Sequence, residues 1–205
     1  MNIGIINTLT SNIKSVLNVL NYLGFENQYE VINNISEIKK EYSHLILPGN
    51  GNYKSNMDII KKKNFNTLIK NHFLKNKPFL GICVGMQILS TFGEETSFEN
   101  GLNIIEGRVT KIKTTSLRLP HIGWNNIEVT NNDPILKNIN EEDTFYFLHS
   151  YFFDVKNKSN IIATTKYEIE IPIFVKKNKF YGVQFHPEKS QNSGIKIIDN
   201  FLKIS

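Results

Sequence analysis

The sequence predicts an α/β fold, with a mostly parallel central sheet flanked by helices and an additional antiparallel or mixed sheet region. Two observations carry this. As far as Phe92, short apolar runs alternate with amphipathic helical patterns, the rhythm of successive β-α-β units. Beyond Phe92, strand-like segments follow one another until a closing helix. No internal repeat and no linker-like stretch interrupts the chain, so residues 1–205 are expected to form one domain.

The first strand is the apolar run Asn2–Ile6. The polar stretch from Thr8 follows, with Ser11 or Asn12 as N-cap candidates. Ile13, Val16, Leu17, Leu20 and Leu23 then recur at the spacing of an amphipathic helix, which Gly24 ends. Tyr29–Ile32 is a second strand, and Leu45–Leu47 is a third that stops at Pro48-Gly49-Asn50-Gly51. Lys61-Lys62-Lys63 reads as loop, and Phe65, Leu68, Ile69 and Phe73 mark the next helix. The run Phe79–Ile82 leads into Cys83, and Met86, Leu89 and Phe92 begin another helical pattern. Six strand-like segments follow: Gly107–Ile112, Trp124–Val129, Thr144–Leu148, Ile161–Thr165, Ile173–Lys176 and Phe180–Phe185. The last two are joined by a short hairpin at Lys177-Asn178-Lys179. Ile195, Ile198, Phe201 and Leu202 define the closing helix.

Composition narrows the function classes. Hydrophobic residues make up 40% and charged residues 21%, as in ordinary globular chains. A single cysteine excludes an internal disulfide framework and a cysteine-based zinc site. No metal or cofactor is expected, since no histidines lie at ligand spacing around His186. Met1–Asn7 lacks the basic and apolar regions of a secretory signal, and no run approaches a membrane span, so a cytoplasmic protein is expected. The net charge of +5 comes from scattered lysines without interleaved aromatics, which argues against nucleic acid as partner.

Five segments bear chemistry-capable residues. Phe79–Leu89 reads as strand, sharp turn, helix, with Cys83 on the turn between Gly81 and Gly85. A nucleophile so placed projects from a sheet edge, and the adjacent helix start favours an anionic sulfur. Taken alone, a lone cysteine is more often an inert buried residue. Pro48-Gly49-Asn50-Gly51, just beyond a strand, suits an oxyanion hole built from backbone N–H groups, or is a plain turn. His186 and Glu188 flank Pro187; in an extended segment they point the same way and form an imidazole–carboxylate pair, or are simply two polar side chains facing water. Tyr146–Tyr151 lines a pocket or forms an edge strand, and Trp124, the one tryptophan, is core or interface. Together, a glycine turn, a cysteine elbow and a His-x-Glu are the parts of a Cys-His-Glu nucleophilic site.

Gly81–Gln87 together with His186-Pro187-Glu188 resembles the class I, triad-bearing glutamine amidotransferases. Within that class, Pro48–Gly51, Pro120–Asn125, Tyr146–Tyr151 and Gly182–Ser190 resemble the glutaminase subunits of imidazole glycerol phosphate synthase, and the likeness runs nearly end to end. The resemblance implies an amidotransferase-like fold and L-glutamine as substrate. It implies Cys83 as nucleophile, His186 as proton relay and Glu188 as its orienting carboxylate. It places the oxyanion on backbone N–H groups of Asn50, Gly51 and Val84, and the glutamine head group against Gln87, His149, Ser150 and Tyr151. Ammonia would pass to a (β/α)8 cyclase subunit in a heterodimer, with Asn12, Trp124, Tyr146 and Lys189 at the docking or gating face. That cyclase makes imidazole glycerol phosphate and an aminoimidazole carboxamide nucleotide in histidine biosynthesis.

Two departures stand out. Asn7–Asn12 replaces the family's Asp-Tyr-Gly-x-Gly-Asn loop, keeping only Asn12 in place, and Asn50 stands where relatives usually carry valine. Because Asn adopts positive φ more easily than a β-branched residue, an easily flipped turn and higher activity without the partner are expected. Two other readings remain open at this point. One is a paralogue feeding ammonia to a sugar-modifying synthetase for surface polysaccharide, and the other is a catalytically dead binding protein.

Overall fold

The computed structural model describes residues 1–38 and 40–205. Its first half builds a parallel sheet from β1 (Ile3–Ile6), β2 (Tyr29–Ile32), β3 (His44–Gly49) and β4 (Phe79–Cys83). Helices α1 (Ile13–Tyr22), α2 (Tyr53–Lys62) and α3 (Phe65–Leu74) make the crossovers. The strands β1, β3 and β4 are near-continuous apolar runs buried along their whole length, as strands of a covered parallel sheet must be.

The second half contributes α4 (Val84–Gln87), β5 (Phe92–Gly93), β6 (Glu99–Asn100), β7 (Gly107–Lys111), β8 (His121–Asn126) and β9 (Glu128–Val129). It continues with β10 (Thr144–His149), β11 (Tyr151–Val155), β12 (Ile161–Tyr167), β13 (Ile169–Lys177), β14 (Phe180–Val183) and α5 (Gln191–Leu202). Among the described residues, the main sheet has eight strands in the order β2-β1-β3-β4-β14-β13-β12-β9. The first five are parallel and the last three antiparallel. β10 pairs with β8, and β11-β7-β5-β6 form a further small sheet. One contiguous apolar core joins these layers, from Ile3 through Phe79, Phe147 and Phe180 to Leu202. Phe79 and Phe180, in register on adjacent strands, stack at 4.5 Å.

Several expectations need correction. Lys61 and Lys62 belong to α2, whose buried residues Tyr53, Asn56, Met57 and Ile60 follow helical spacing; Asn56 masks the apolar stripe. The helix after Cys83 is a single turn and does not reach Phe92, which pairs with Asn100 in β5–β6. It stops because the amides of Leu102, Asn103 and Ile104 take the carbonyls of Ile88, Ser90 and Leu89. Trp124–Val129 is not one strand; after Asn126 the chain leaves β10 and pairs with β12 instead. Asn12 sits at the start of α1, but its side chain bonds Ser15 Oγ at 2.9 Å rather than a backbone amide. Gly24 follows the helix end with φ of 83°, as a C-terminal glycine should.

Candidate active site

Three strand ends converge at the carboxyl edge of the main sheet, where parallel sheets place their sites. β4 ends at Cys83, with β3 and β14 on either side. Gly49 is in register with Cys83, so the Asn50–Gly51 turn leaves β3 beside the sulfur. Val183 is in register with Ile82, so the segment from Gln184 to Glu188 leaves β14 on the other flank.

Cys83 has φ of 54° and ψ of −111°, a strained combination for a residue with a side chain. Glycines let the surrounding backbone accommodate it. A Cβ on Gly85 would run into the Leu47 carbonyl, and one on Gly81 into the Gly85 carbonyl. The elbow therefore lies backbone to backbone against β3. Val84 opens α4, and its N–H is among the first-turn donors that lack an acceptor within the helix. At the turn itself, Gly51 takes positive φ at 75°, whereas Asn50 does not use the left-handed region in this conformation.

His186 Nδ1 donates to Glu188 Oε1 at 2.8 Å, and both side chains are almost wholly buried. The pairing is not made by an extended strand: His186 is extended, but Pro187–Lys189 turns as a short 3-10 helix and swings the carboxylate back onto the ring. Nε2 is buried and makes no hydrogen bond of ordinary geometry, which leaves it for the sulfur. Burial opposes charge on this ring. The neighbouring Cys83 and Glu188 outweigh it and raise the imidazole pKa to about 10.

A residue missed in the sequence touches the sulfur directly. Gln184, fully buried, donates from Nε2 to Cys83 Sγ at 3.7 Å. Its Oε1 accepts from Gln87 Nε2 at 3.0 Å, and the same nitrogen donates to the Tyr151 carbonyl at 3.0 Å. The alternation of Gly182, Gln184 and His186 along one extended run carries the signal, since such residues share a side.

A cavity of about 270 Å³ opens above these groups. Asn50, Gly51, Cys83, Glu95 and Pro120 line one part, and Leu148, His149, Ser150 and Tyr151 the other. Gln87, Val84, His186 and Glu188 lie outside its lining; Gln87 supports Gln184 from below. Glu95, for which no motif gave warning, accepts from the Tyr53 amide at 2.6 Å, and burial raises its pKa. The Tyr151 hydroxyl donates to the Glu95 carbonyl at 3.1 Å. His149 donates from Nδ1 to the Tyr151 carbonyl at 2.9 Å, since a carbonyl only accepts. Its Nε2 therefore accepts from His121 Nδ1 at 3.3 Å. Burial lowers His149 to about 3 and His121 to about 4, so both rings are neutral at pH 7. A larger cavity, about 810 Å³, lies at the opposite end of the sheet around His44 and Lys77, away from Cys83.

Three of the expected docking residues come together. Trp124 packs edge-on to Tyr146 with ring centroids 6.0 Å apart, and Lys189 Nζ lies 5.7 Å from the Tyr146 ring. Ile122 and Trp124 are exposed on the same face of β8. Asn12 is exposed and hydrogen-bonds to none of the three among the described residues.

A strained cysteine elbow, a buried His–Glu pair beside it and a cavity carrying a carboxylate are an arrangement capable of thiol-based nucleophilic chemistry. The family model of class-I glutamine amidotransferases matches residues 4–204, and the chain belongs to this family. Among its relatives, "Imidazole glycerol phosphate synthase subunit HisH" of Pelagibacter ubique is 38% identical, covering 100% of both chains. The protein of the same description from Caldanaerobacter subterraneus is 39% identical over 97% of this chain and 96% of that one. In fold, the chain is similar to PurLQS from Thermotoga maritima, with a TM-score of 0.72, 16% identity and coverage of 98% and 97%. A glutamine amidotransferase from the same organism has a TM-score of 0.70 at 18% identity, covering 98% and 82%. These two likenesses establish the fold.

Proposed function

We propose that this chain is the glutaminase subunit of an imidazole glycerol phosphate synthase. The observation that carries the chemistry is Cys83 on its elbow beside the buried His186–Glu188 pair, at the floor of a small cavity. The pathway rests on full-length relatives described as subunit HisH.

In this reading the Cys83 sulfur attacks the side-chain carbonyl carbon of L-glutamine. The carbonyl oxygen becomes an oxyanion held by backbone N–H groups of Val84 and the Asn50–Gly51 turn. The C–N bond breaks, His186 delivers its proton to the leaving nitrogen, and ammonia departs from a glutamyl thioester. Water, deprotonated by His186, cleaves the thioester and releases glutamate and the thiol. Glu188 keeps the imidazole oriented through Nδ1 and stabilises its protonated form. Glu95 and the His149–Tyr151 segment receive the ammonium and carboxylate of the substrate; Gln87 acts through Gln184 rather than on the substrate.

Residues 1–205 act as one domain, in the cytoplasm, and dock a (β/α)8 cyclase subunit over Ile122, Trp124, Tyr146 and Lys189. No helix among the described residues is long and apolar enough to cross a membrane. The docking face is wired to the site. His186 N–H donates to the Tyr146 carbonyl at 2.9 Å, while Ser190 Oγ donates to the His186 carbonyl at 2.7 Å and accepts from Tyr146 N–H at 3.0 Å. A shift of Tyr146 on docking therefore moves the His186 backbone.

The test is glutamate release and imidazole glycerol phosphate formation by the full chain mixed with the cyclase subunit from the same genome. Both products are expected, and both disappear with Cys83→Ser. Glutamate release without cyclase product assigns the ammonia to another acceptor; no glutamate release even with partner and nucleotide overturns the reading.

A further inference from the structure

Behind the oxyanion turn lies a buried amide at a helix position that would ordinarily be apolar. Asn56, on the inner stripe of α2 with Tyr53, Met57 and Ile60, is 1% exposed. Its Nδ2 donates to the Asn50 carbonyl at 2.7 Å and to the Asn52 carbonyl at 2.9 Å. Its Oδ1 accepts from Thr10 Oγ1 at 2.9 Å, and Thr10 is in turn bonded to Thr8 Oγ1 at 3.0 Å. Both amide protons and the oxygen are thus used, and the first loop is tied through one side chain to the turn that faces Cys83.

We propose that Asn56 is a positioning residue for glutamine hydrolysis, held by Thr10, that pins the Asn50 carbonyl and so fixes the peptide planes of the oxyanion turn. This rests on the glutaminase reading above and deepens it. A peptide unit is planar, so a pinned carbonyl fixes the N–H of the following residue on the opposite edge. Asn50 and Gly51 line the cavity, whereas Asn56 does not. The pinned carbonyl is therefore turned to the helix side, and the Gly51 N–H is directed to the cavity side. Gly51 also carries the positive φ of the turn, so without the pin its torsions are free to relax. Donors aimed in advance at a developing oxyanion act on kcat, because the charge they stabilise exists only in the transition state. The first loop thereby reaches the chemistry without touching substrate, through Thr10 and Asn56 in series.

The test uses the full chain, alone and with the cyclase subunit, reading kcat and KM for glutamine beside the rate of Cys83 alkylation by iodoacetamide, a displacement that needs no oxyanion hole. Asn56→Ala is expected to lower kcat about tenfold, a fraction of the effect of deleting an oxyanion donor, with KM and alkylation within about twofold. Thr10→Val removes the hydroxyl that supports Asn56 Oδ1, together with its bond to Thr8, and is expected to lower kcat about threefold, while Thr10→Ser restores it. The double variant is expected to match Asn56→Ala, since the two residues act in series. Unchanged kcat in both single variants overturns the proposal, as does a parallel fall in alkylation, which marks general loosening of the site. Additive losses overturn the serial arrangement. If Asn56→Ala does not fold, Thr10→Val and Thr10→Ser carry the same decision. Failure of the wild-type chain to release glutamate refutes the glutaminase reading instead.

Discussion

Replacing Glu188 by glutamine removes one negative charge from a buried pair while keeping its shape. The His186 Nδ1–Glu188 Oε1 bond is 2.8 Å long, and neither side chain reaches solvent to any extent. A charge-assisted bond of this kind contributes about 1.5–3 kcal/mol. That equals about one to two units in the imidazole pKa, which Cys83 and Glu188 together raise to about 10. The protonated ring should therefore form less readily, and proton delivery to the leaving nitrogen should weaken. The loss in kcat is about tenfold to a hundredfold from the lost charge alone. It grows towards about 10⁴-fold if the new amide donates to Nδ1 and reverses the tautomer, as in triads whose acid is replaced by its amide. Stopped assays of glutamate release, together with the pH dependence of Cys83 alkylation, measure both effects. A kcat within about threefold of wild type, or an alkylation profile that does not move, would refute the assignment of Glu188 as orienting carboxylate.

Gly85→Ala drives a methyl group into the Leu47 carbonyl, a backbone atom with nowhere to retreat; a loss of about 1–3 kcal/mol in thermal unfolding and collapse of glutaminase activity are expected. Glu95→Gln removes the half-buried carboxylate of the cavity, and KM for glutamine should rise about tenfold or more with a smaller change in kcat, read by steady-state kinetics. Acid should weaken the fold through its buried histidines. Burial lowers His72 and His121 to about 4 and His149 to about 3, while the unfolded rings bind protons near the ordinary value of 6.5. The unfolded chain thus holds more protons at these three rings, so their contribution is intact above pH 6.5 and falls as pH drops towards 4, by up to about 1.4 kcal/mol per unit for each ring; His186, raised to about 10, acts in the opposite sense and only above pH 6.5. Urea unfolding across that window checks it, and His121→Phe should flatten the slope; the carboxylates of Glu41 and Glu168, lowered to about 2, act only at lower pH.

The parallel half of the fold was legible because β1, β3 and β4 are buried on both faces and helices α1 and α3 carry apolar residues at helical spacing. α2 was not, because a functional amide occupies its stripe: Asn56 serves the carbonyls of Asn50 and Asn52, and a polar residue at a core position breaks the pattern that periodicity reads. The length of α4 was misread for a related reason. Leu89 is buried and at helical spacing from Met86, but its carbonyl is taken by Ile104 and Ile105 from a distant segment, a tertiary bond invisible to local pattern. At the site, Glu95 escaped because it gains its meaning only from neighbours in space, and Gln184, although inside the Gly182–Ser190 segment, because the Cys83 sulfur it meets lies on another strand.

Why three weak motifs become one site is a matter of strand order. The chain meets β3, β4 and β14 far apart in sequence, yet the sheet sets them side by side, with the strand of Cys83 in the middle. Any other insertion point for β14 would leave His186 on a different strand from the one that flanks Cys83. What favours this one is shape. Gly182 is in register with Gly81, and a Cβ on Gly182 would meet the Met86 side chain of α4. Two adjoining strands without side chains at that level leave a trough, and the short helix behind Cys83 lies in it with Met86 fully buried. The elbow read in the sequence as strand, turn and helix therefore depends on a glycine from the far end of the chain. That glycine seats the cysteine, and the residues that follow it carry His186 to the sulfur's flank.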